Sequence, residues 1–434
     1  MSTVISIASK KDHRLRLLHT SDWHLGRLLH GKKRYDEFAR FLDWLIGTVR
    51  DEQVDLLIIA GDVFDTTTPS NRAQELYYSF LGRVAATSCR HVIVVAGNHD
   101  SPSFLDAPRA LLKALRVHVT GALTGSVDNE VLVIDEDDSD GKPLAAVVCA
   151  VPYLRESDIR SVAAGESIDD KTTKMLDGIK EHYAAVHAVA EVKRVQLQRK
   201  YAGVAEVRVP VITTGHLFTA GGLTVEGDGV RELYVGSLVH TDCALFDERI
   251  DYLALGHLHV PQMVGGNTAR RYSGSPIAMG FGETAQKKSV VIADFSTPDT
   301  HISLREIPVF RPLVRIRGDL SSIASQIRDC TVKHPDAWLE IRYEGDEVAA
   351  KLQEDLGELV KDTLLEIVRI RNNRVIAGVL EREYAEEEFT DITPEEVFNR
   401  CLAANTVPET QCEELRAGFR ELVRLMDEED AHAG

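Results

Sequence analysis

Short continuous apolar runs alternate with amphipathic stretches through the first part of the chain, and this alternation predicts an α/β domain. The runs LRLLHT (15–20), VDLLIIA (54–60) and HVIVVA (91–96) read as buried strands, because each is rich in Leu, Ile and Val and ends in a polar or Gly-containing turn. Between the first two, YDEFARFLDWLIGTVRDEQ (35–53) puts Phe38, Phe41, Leu42, Leu45 and Ile46 on one helical face. Further strands are expected at 144–151, 207–215, 251–256 and 287–295, so a βαβαβ start feeds a central sheet of many strands. The segment 155–206 reads as an insertion, helical from about 170 to 200 by its charge spacing and lack of Pro. Its apolar positions are too irregular to assign a partner face.

Alternation resumes near Phe310. VRIRGDL, a helical SSIASQIRDCTV, WLEIRYE, a helical DEVAAKLQEDLGELV and LLEIVRIR predict a small α/β domain over 311–372. The remainder, 373–434, reads as a linker and a helical region. Thr393-Pro394-Glu395-Glu396 matches a capping box with Pro at the first helical position, opening a short helix to about Ala404. A second helix over about 408–429 carries Leu415, Phe419, Leu422 and Met426 as one stripe. Two such helices either dock on a partner or fold back on their own domain.

At 434 residues, 44% hydrophobic and 27% charged, the composition is that of an ordinary globular protein of two or three domains. No apolar stretch is long enough for a signal peptide or a membrane helix, so a cytoplasmic location is expected. The six cysteines are scattered without a CxxC spacing, which indicates neither a disulfide framework nor a zinc knuckle. The net charge of -18 is unevenly spread: 380–434 holds 16 acids and 5 arginines, a net of -11, whereas 10–34 holds eight Lys or Arg against two Asp, a net of +6. A basic patch beside the first motif suits a phosphate-rich substrate, and an acidic end suits a different partner.

Five motifs follow the apolar runs: DWH (22–24), GDVFD (61–65), GNHD (97–100), GH (215–216) and GHLH (256–259). Loops at the carboxyl ends of strands in an open α/β sheet converge on one crevice, so residues distant in sequence can meet there. Carboxylate, imidazole and amide oxygen suit borderline divalent ions such as manganese, iron or zinc, and a carboxylate such as Asp62 can bridge two of them. Each motif alone is weak evidence; five in this order, each ending a strand, point to a metal-dependent phosphoesterase with two ions.

The order DxH, GDxxD, GNHD, H, GHxH resembles the calcineurin-like metallophosphoesterases. HTSDWHLG, AGDVFDTTTPS, VVAGNHDS, ITTGHL, DYLALGHLH and RYSGSPI extend the resemblance along nearly the whole chain to the DNA nuclease branch of that family. The resemblance implies a β-sandwich flanked by helices over 1–310, a capping domain over 311–372 and C-terminal helices. It implies one ion held by Asp22, His24, Asp62 and His259, and another by Asp62, Asn98, His216 and His257. It makes His99 the catalytic residue that assists without ligating. It further implies manganese dependence, 3′–5′ exonuclease and hairpin or single-strand endonuclease activity in recombination and repair, and a homodimer bound through its C-terminal helices to a coiled-coil ATPase. No GxxxxGK[ST] occurs in the chain, so ATP coupling would need that partner.

Asp65 and Asp100 are expected to orient imidazoles from behind, and His19 and Trp23 to pack. The phosphoprotein phosphatases of the family carry Arg where this chain has Thr66 and Ala96, and the loss of both favours a diester gripped along its backbone. Arg27, Lys32, Lys33, Arg34, Arg72 and Arg271 are the candidate contacts to DNA. A small-molecule diesterase acting on cyclic nucleotides would keep the metal site but need no cap or docking helices, and a scaffold that had lost the chemistry would lack ligands. None is missing here.

Overall fold

The computed structural model describes residues 15–137, 143–159, 167–202, 208–219, 246–295, 299–345 and 349–372, with Phe398, Leu415, Arg416 and Phe419. The helices expected at 393–404 and 408–429 lie outside the described residues apart from those four positions. The chain divides into two compact units, Met1–Val314 and Arg315–Gly434.

In the first unit the apolar runs become the strands β1 (Arg16–Thr20), β2 (Leu56–Ala60) and β3 (His91–Val95), with helices α1 (Tyr35–Asp51) and α2 (Asn71–Ala85) between them. The α1 stripe is buried as its spacing requires, and the Ser70 side chain caps α2 by accepting from the Ala73 N–H. The chain continues through β4 (Val117–Thr120), β5 (Val131–Asp137), β6 (Pro143–Cys149) and the long helix α3 (Ile168–Lys200). It ends with β7 (Val211–His216), β8 (Tyr252–Gly256), β9 (Gln262–Val264), β10 (Asn267–Tyr272), β11 (Ser289–Asp294) and β12 (His301–Glu306).

These strands form two six-stranded sheets, ordered β12-β11-β1-β2-β3-β4 and β9-β10-β8-β7-β6-β5. One apolar layer joins them, with Leu17, Ile58, Ile93 and Val291 from the first sheet against Ile134, Ala146, Ile212 and Ala254 from the second. The strands β1 to β4 are mutually parallel, as are β6, β7, β8 and β10. On the outer face of the first sheet, α1 and α2 enclose Trp23, whose ring meets Phe41 and Phe80 edge-on. Helix α3 does have a partner face, contrary to the irregular pattern read from the sequence. Met175, Ile179, Tyr183, Val186 and Ala190 bury against Val147, Cys149 and Leu253 of the second sheet. Its stripe is hard to see in sequence because two of these five anchors are Tyr and Ala rather than large aliphatics. No helix among the described residues is long and apolar enough to cross a membrane.

The second sheet system is small: β13 (Leu313–Gly318), β14 (Trp338–Tyr343) and β15 (Glu366–Asn372) form a sheet in that order, with helices α4 (Leu320–Lys333) and α5 (Ala349–Val360). Residues Ile316, Leu339 and Ile341 are buried with Ile323, Ile327, Leu352 and Leu356 of the helices. Alternation along the strand sends Glu340 to the opposite face. There it is 1% exposed and shared by four half-exposed guanidiniums: Arg315 at 2.6 Å, Arg342 at 3.4 Å, Arg371 at 3.5 Å and Arg369 at 3.6 Å. Burial would raise this carboxyl, but the Arg315 hydrogen bond and charge outweigh it and hold it below the usual glutamate range.

Glu340→Gln, which leaves four arginines facing a neutral amide, is expected to cost about 2 kcal/mol, seen as a lower urea midpoint at neutral pH. Because the folded carboxyl titrates below its unfolded range, the wild-type stabilisation is complete above that range. It is lost as the pH falls below that range and through the lower folded one, so the two chains should converge in acid.

Candidate metal centre

All five motifs emerge from the carboxyl ends of parallel strands, three from the first sheet and two from the second. After β1 the chain turns through Asp22 and His24, after β2 through Asp62, and after β3 through Asn98 and His99; β7 ends on His216 and β8 delivers His257 and His259. The two sheets close on one another at this end. His216 Nδ1 lies 3.0 Å from the carbonyl oxygen of Ala60, so a residue of the second sheet donates directly to the end of β2.

That approach leaves no room for side chains at the motif glycines. A Cβ on Gly256 would strike the Ala60 carbonyl, and one on Gly97 would strike the Asp62 carboxylate and backbone. Of the four glycines preceding candidate ligands, only Gly61 has a left-handed backbone, at φ +88. The others are required for closeness rather than for a sharp turn. The sharp turns are made by the candidate ligands themselves: Asp22, His24, Asp62 and His257 have φ of 53, 48, 49 and 101. Such backbone at non-Gly residues costs roughly 1–3 kcal/mol each and clusters at functional sites.

Hydrogen bonds hold this strain in place. Asp62 O accepts from His24 N at 2.9 Å, Asp22 Oδ1 from His257 N at 2.8 Å, and Asp62 Oδ1 from His99 N at 2.9 Å. Asp22, His24, Asp62, His216, His257 and His259 are all buried, while Asn98 and His99 are partly exposed at the mouth. Donor atoms of Asp22, His24 and His259 lie within 4.8 Å of one another, and so do those of Asp22, Asp62 and His216. Asp62 Oδ2 is 3.6 Å from His24 Nε2 and 3.3 Å from His216 Nε2, placing it between the two groups. Asn98 Oδ1 lies 3.1 Å from His216 Nε2 and 3.2 Å from His257 Nδ1.

The chemistry of this donor set calls for cations. His216 donates its Nδ1 proton to a carbonyl, so in the neutral ring Nε2 carries a lone pair aimed at the oxygens of Asp62 and Asn98. His24 Nε2 and His259 Nε2 likewise face each other at 3.1 Å. Burial lowers His24 to about 4 and His257 well below the usual range, keeping both neutral as ligands require. Burial alone would lower His216 too, but the charge of Asp62 outweighs it and raises this imidazole to about 9. Burial raises Asp22, whereas His216 and His24 outweigh burial at Asp62 and hold it well below the carboxylate range. Oxygens and nitrogens that face one another across a buried gap are stabilised by a divalent ion on each side of Asp62.

The remaining candidates divide. His99 Nδ1 is 2.9 Å from the Asp65 carbonyl, so it carries the proton and leaves Nε2 as the reactive atom; its ring packs edge-on to His24 at 4.8 Å. Asp65 Oδ1 stands 3.4 Å from His24 Nδ1. Asp100 does not orient an imidazole: its two oxygens accept the N–H groups of Val63, Phe64 and Gly97, so it clamps the second and third loops together. Arg34 and Arg271 are also corrected as substrate contacts, since both are buried. Arg34 is bidentate to Glu37 and bonded to the Ala278 carbonyl, and Arg271 lies on β10 with only 8% of its surface exposed. Lys32 and Lys33 are exposed on a two-residue strand that pairs with Leu28 and Leu29, Arg72 is exposed beside Glu75, and Arg27 lies 3.3 Å from Asp65. His19 and Trp23 pack, His19 against the Tyr252 hydroxyl at 2.9 Å.

Sequence reasoning missed Glu283 and Lys288, a buried pair beside His259. An imidazole that ligates through one nitrogen needs an acceptor on the other, so an acid near His259 could be anticipated. Nothing along the chain singles out Glu283 from the other acids.

The family model described as calcineurin-like phosphoesterase matches residues 15–261, and that described as Type 5 capsule protein repressor C-terminal domain matches 309–406. The chain is 35% identical to the SbcD component of the nuclease SbcCD of Escherichia coli K12, covering 93% of this chain and 97% of that one. It is 31% identical to the same component of the Bacillus subtilis nuclease over 96% of this chain and 100% of the relative, and 32% identical to that of Rhodobacter capsulatus over 88% and 93%. Among solved structures, a dimetal phosphatase from Danio rerio aligns with a TM-score of 0.35 at 14% identity, over 68% of this chain and 98% of its own. That likeness is too slight to carry any argument.

Gly97→Ala is expected to abolish metal uptake, because the new methyl displaces Asp62, while leaving the circular-dichroism spectrum unchanged. Metal content by emission spectrometry checks it.

Proposed function

The chain belongs to the calcineurin-like phosphoesterases and, within them, to the SbcD nucleases, and from that premise we propose that it is a manganese-dependent DNA nuclease. Its substrate is a phosphodiester, cut from 3′ to 5′ at double-stranded ends and internally at hairpins or single strands. It acts in recombination and repair with the ATPase SbcC. The observation that carries this reading is the Asp62 carboxylate lying between two buried donor groups.

Asp22, His24, Asp62 and His259 would hold one ion, and Asp62, Asn98, His216 and His257 the other. The chemistry that two ions held there would supply is polarisation of the diester and activation of a water. The residues of the chain do the rest. The αL ligands and their backbone bonds keep the donors aimed without reorganisation on binding. His99, with its Nδ1 proton committed to the Asp65 carbonyl, would donate to the leaving oxygen from Nε2–H when the ring is doubly protonated, leaving the neutral Nδ1–H form behind. Thr66 and Ala96 stand where monoester phosphatases of the family carry arginines, which favours a diester gripped along its backbone. Arg27, Lys32, Lys33 and Arg72 supply backbone contacts, and the four arginines around Glu340 suit the same phosphate chemistry. The acidic 380–434 region is the natural docking element for SbcC, and two copies of the nuclease would pair within a heterotetramer.

Purified chain with Mn²⁺, given blunt and hairpin DNA beside a small chromogenic diester, tests the reading, with SbcC added in parallel. DNA should be degraded. Turnover of the small diester alone, with DNA untouched even beside SbcC, would instead make this a small-molecule diesterase. His99→Leu is expected to lower kcat roughly 10²–10⁴-fold with metal content intact. Lys32→Glu with Lys33→Glu should weaken DNA binding equally for all sequences and flatten its salt dependence, as fluorescence anisotropy would read.

A further inference from the structure

Behind His259, on the side away from the donor cluster, lies a polar assembly that the fold alone does not explain. Glu283 ends a short turn, Phe281–Glu283, and is 1% exposed. Its Oε2 accepts from the Met279 N–H at 3.1 Å and pairs with the Lys288 ammonium. Its Oε1 has no hydrogen-bond partner and stands 3.8 Å from His259 Nδ1. Lys288, also buried, reaches the His259 carbonyl at 2.9 Å, Ser275 Oγ at 3.0 Å and Gln286 Oε1 at 2.9 Å.

A buried ion pair is seldom stabilising in itself, since desolvation consumes the attraction. This one grips His259 twice, at its backbone oxygen and behind its ring. We propose that Glu283 is a positioning residue for the first ion: its carboxylate charge behind His259 keeps the proton on Nδ1, so that Nε2 is the ligating atom, and strengthens that nitrogen as a donor. Lys288 holds Glu283 in place for this task. The inference rests on the two-metal reading above.

The arrangement makes the two ion sites unequal. The imidazoles of the first, His24 and His259, each have a carboxylate behind them, Asp65 at 3.4 Å and Glu283 at 3.8 Å. In the second, His216 is backed by the neutral Ala60 carbonyl. A carboxylate polarises an imidazole more strongly than a carbonyl does, so Glu283 contributes to affinity in the first site only.

Calorimetric titration of the full chain with Mn²⁺ tests this. Glu283→Gln keeps the shape and an oxygen for Lys288 but loses the charge behind His259. It should weaken one of two binding events by about 10–100-fold and leave the other and the stoichiometry unchanged. Thermal melting in a chelator separates this from a structural role, which would lower the melting temperature without splitting the two affinities. Should the single variant not fold, Glu283→Gln combined with Lys288→Met removes the stranded ammonium and must show the same selective loss. Wild-type affinities at both sites in a folded variant would overturn the role of Glu283. A wild-type chain that takes up no Mn²⁺ would instead overturn the two-metal reading itself.

Discussion

The meeting of the two sheets at the end of β2 governs this molecule. The Ala60 carbonyl accepts a proton from His216, and Gly256 passes against the same carbonyl with no space for a methyl. Elsewhere the sheets are separated by a layer of apolar side chains. Here they touch, and because they touch, a carboxylate from one sheet can stand between imidazoles from both. A site shared between sheets needs this contact; with an ordinary side-chain layer intervening, Asp62 and His216 would be out of reach of each other.

Closeness of that kind is costly, and the structure offsets it locally. Four donors sit in the left-handed region, two carboxylates are buried side by side, and several imidazoles are stripped of water. The compensation comes from backbone hydrogen bonds running between loops, from Asp100 clamping three amides, and from Trp23 driven into the core between Asp22 and His24. Each loop is thus held by its neighbours rather than by its own turn chemistry. This is how a preorganised site forms from segments that would not keep these conformations alone.

Charge follows the same division of labour. The first unit buries Asp22 and Asp62 among imidazoles and carries Lys32 and Lys33 outward near the first motif. The second unit does the reverse, with one buried glutamate shared by four partly exposed arginines. A strongly negative total therefore conceals surfaces suited to phosphate, and the sum over the chain is a poor guide to its partner.

Strands, the α1 stripe and the ligand types were legible along the chain, because each is encoded locally: apolar runs have a strand's length and period, and every motif closes one. The pairing of the strands into two sheets was foreseen only through the family resemblance, and the face of α3 and the fate of Arg34, Asp100 and Arg271 were not foreseen at all. Basic residues beside a motif look alike in sequence, yet Arg34 is consumed by Glu37 while Lys32 and Lys33 stay exposed. What the sequence by itself determined is which side chains could hold metal and that all of them end strands. Tertiary structure alone decided which nitrogen of each histidine faces inward, and which group, Ala60, Asp65 or Glu283, stands behind it. Those choices depend on contacts between segments far apart in the chain, and spacing carries no record of them.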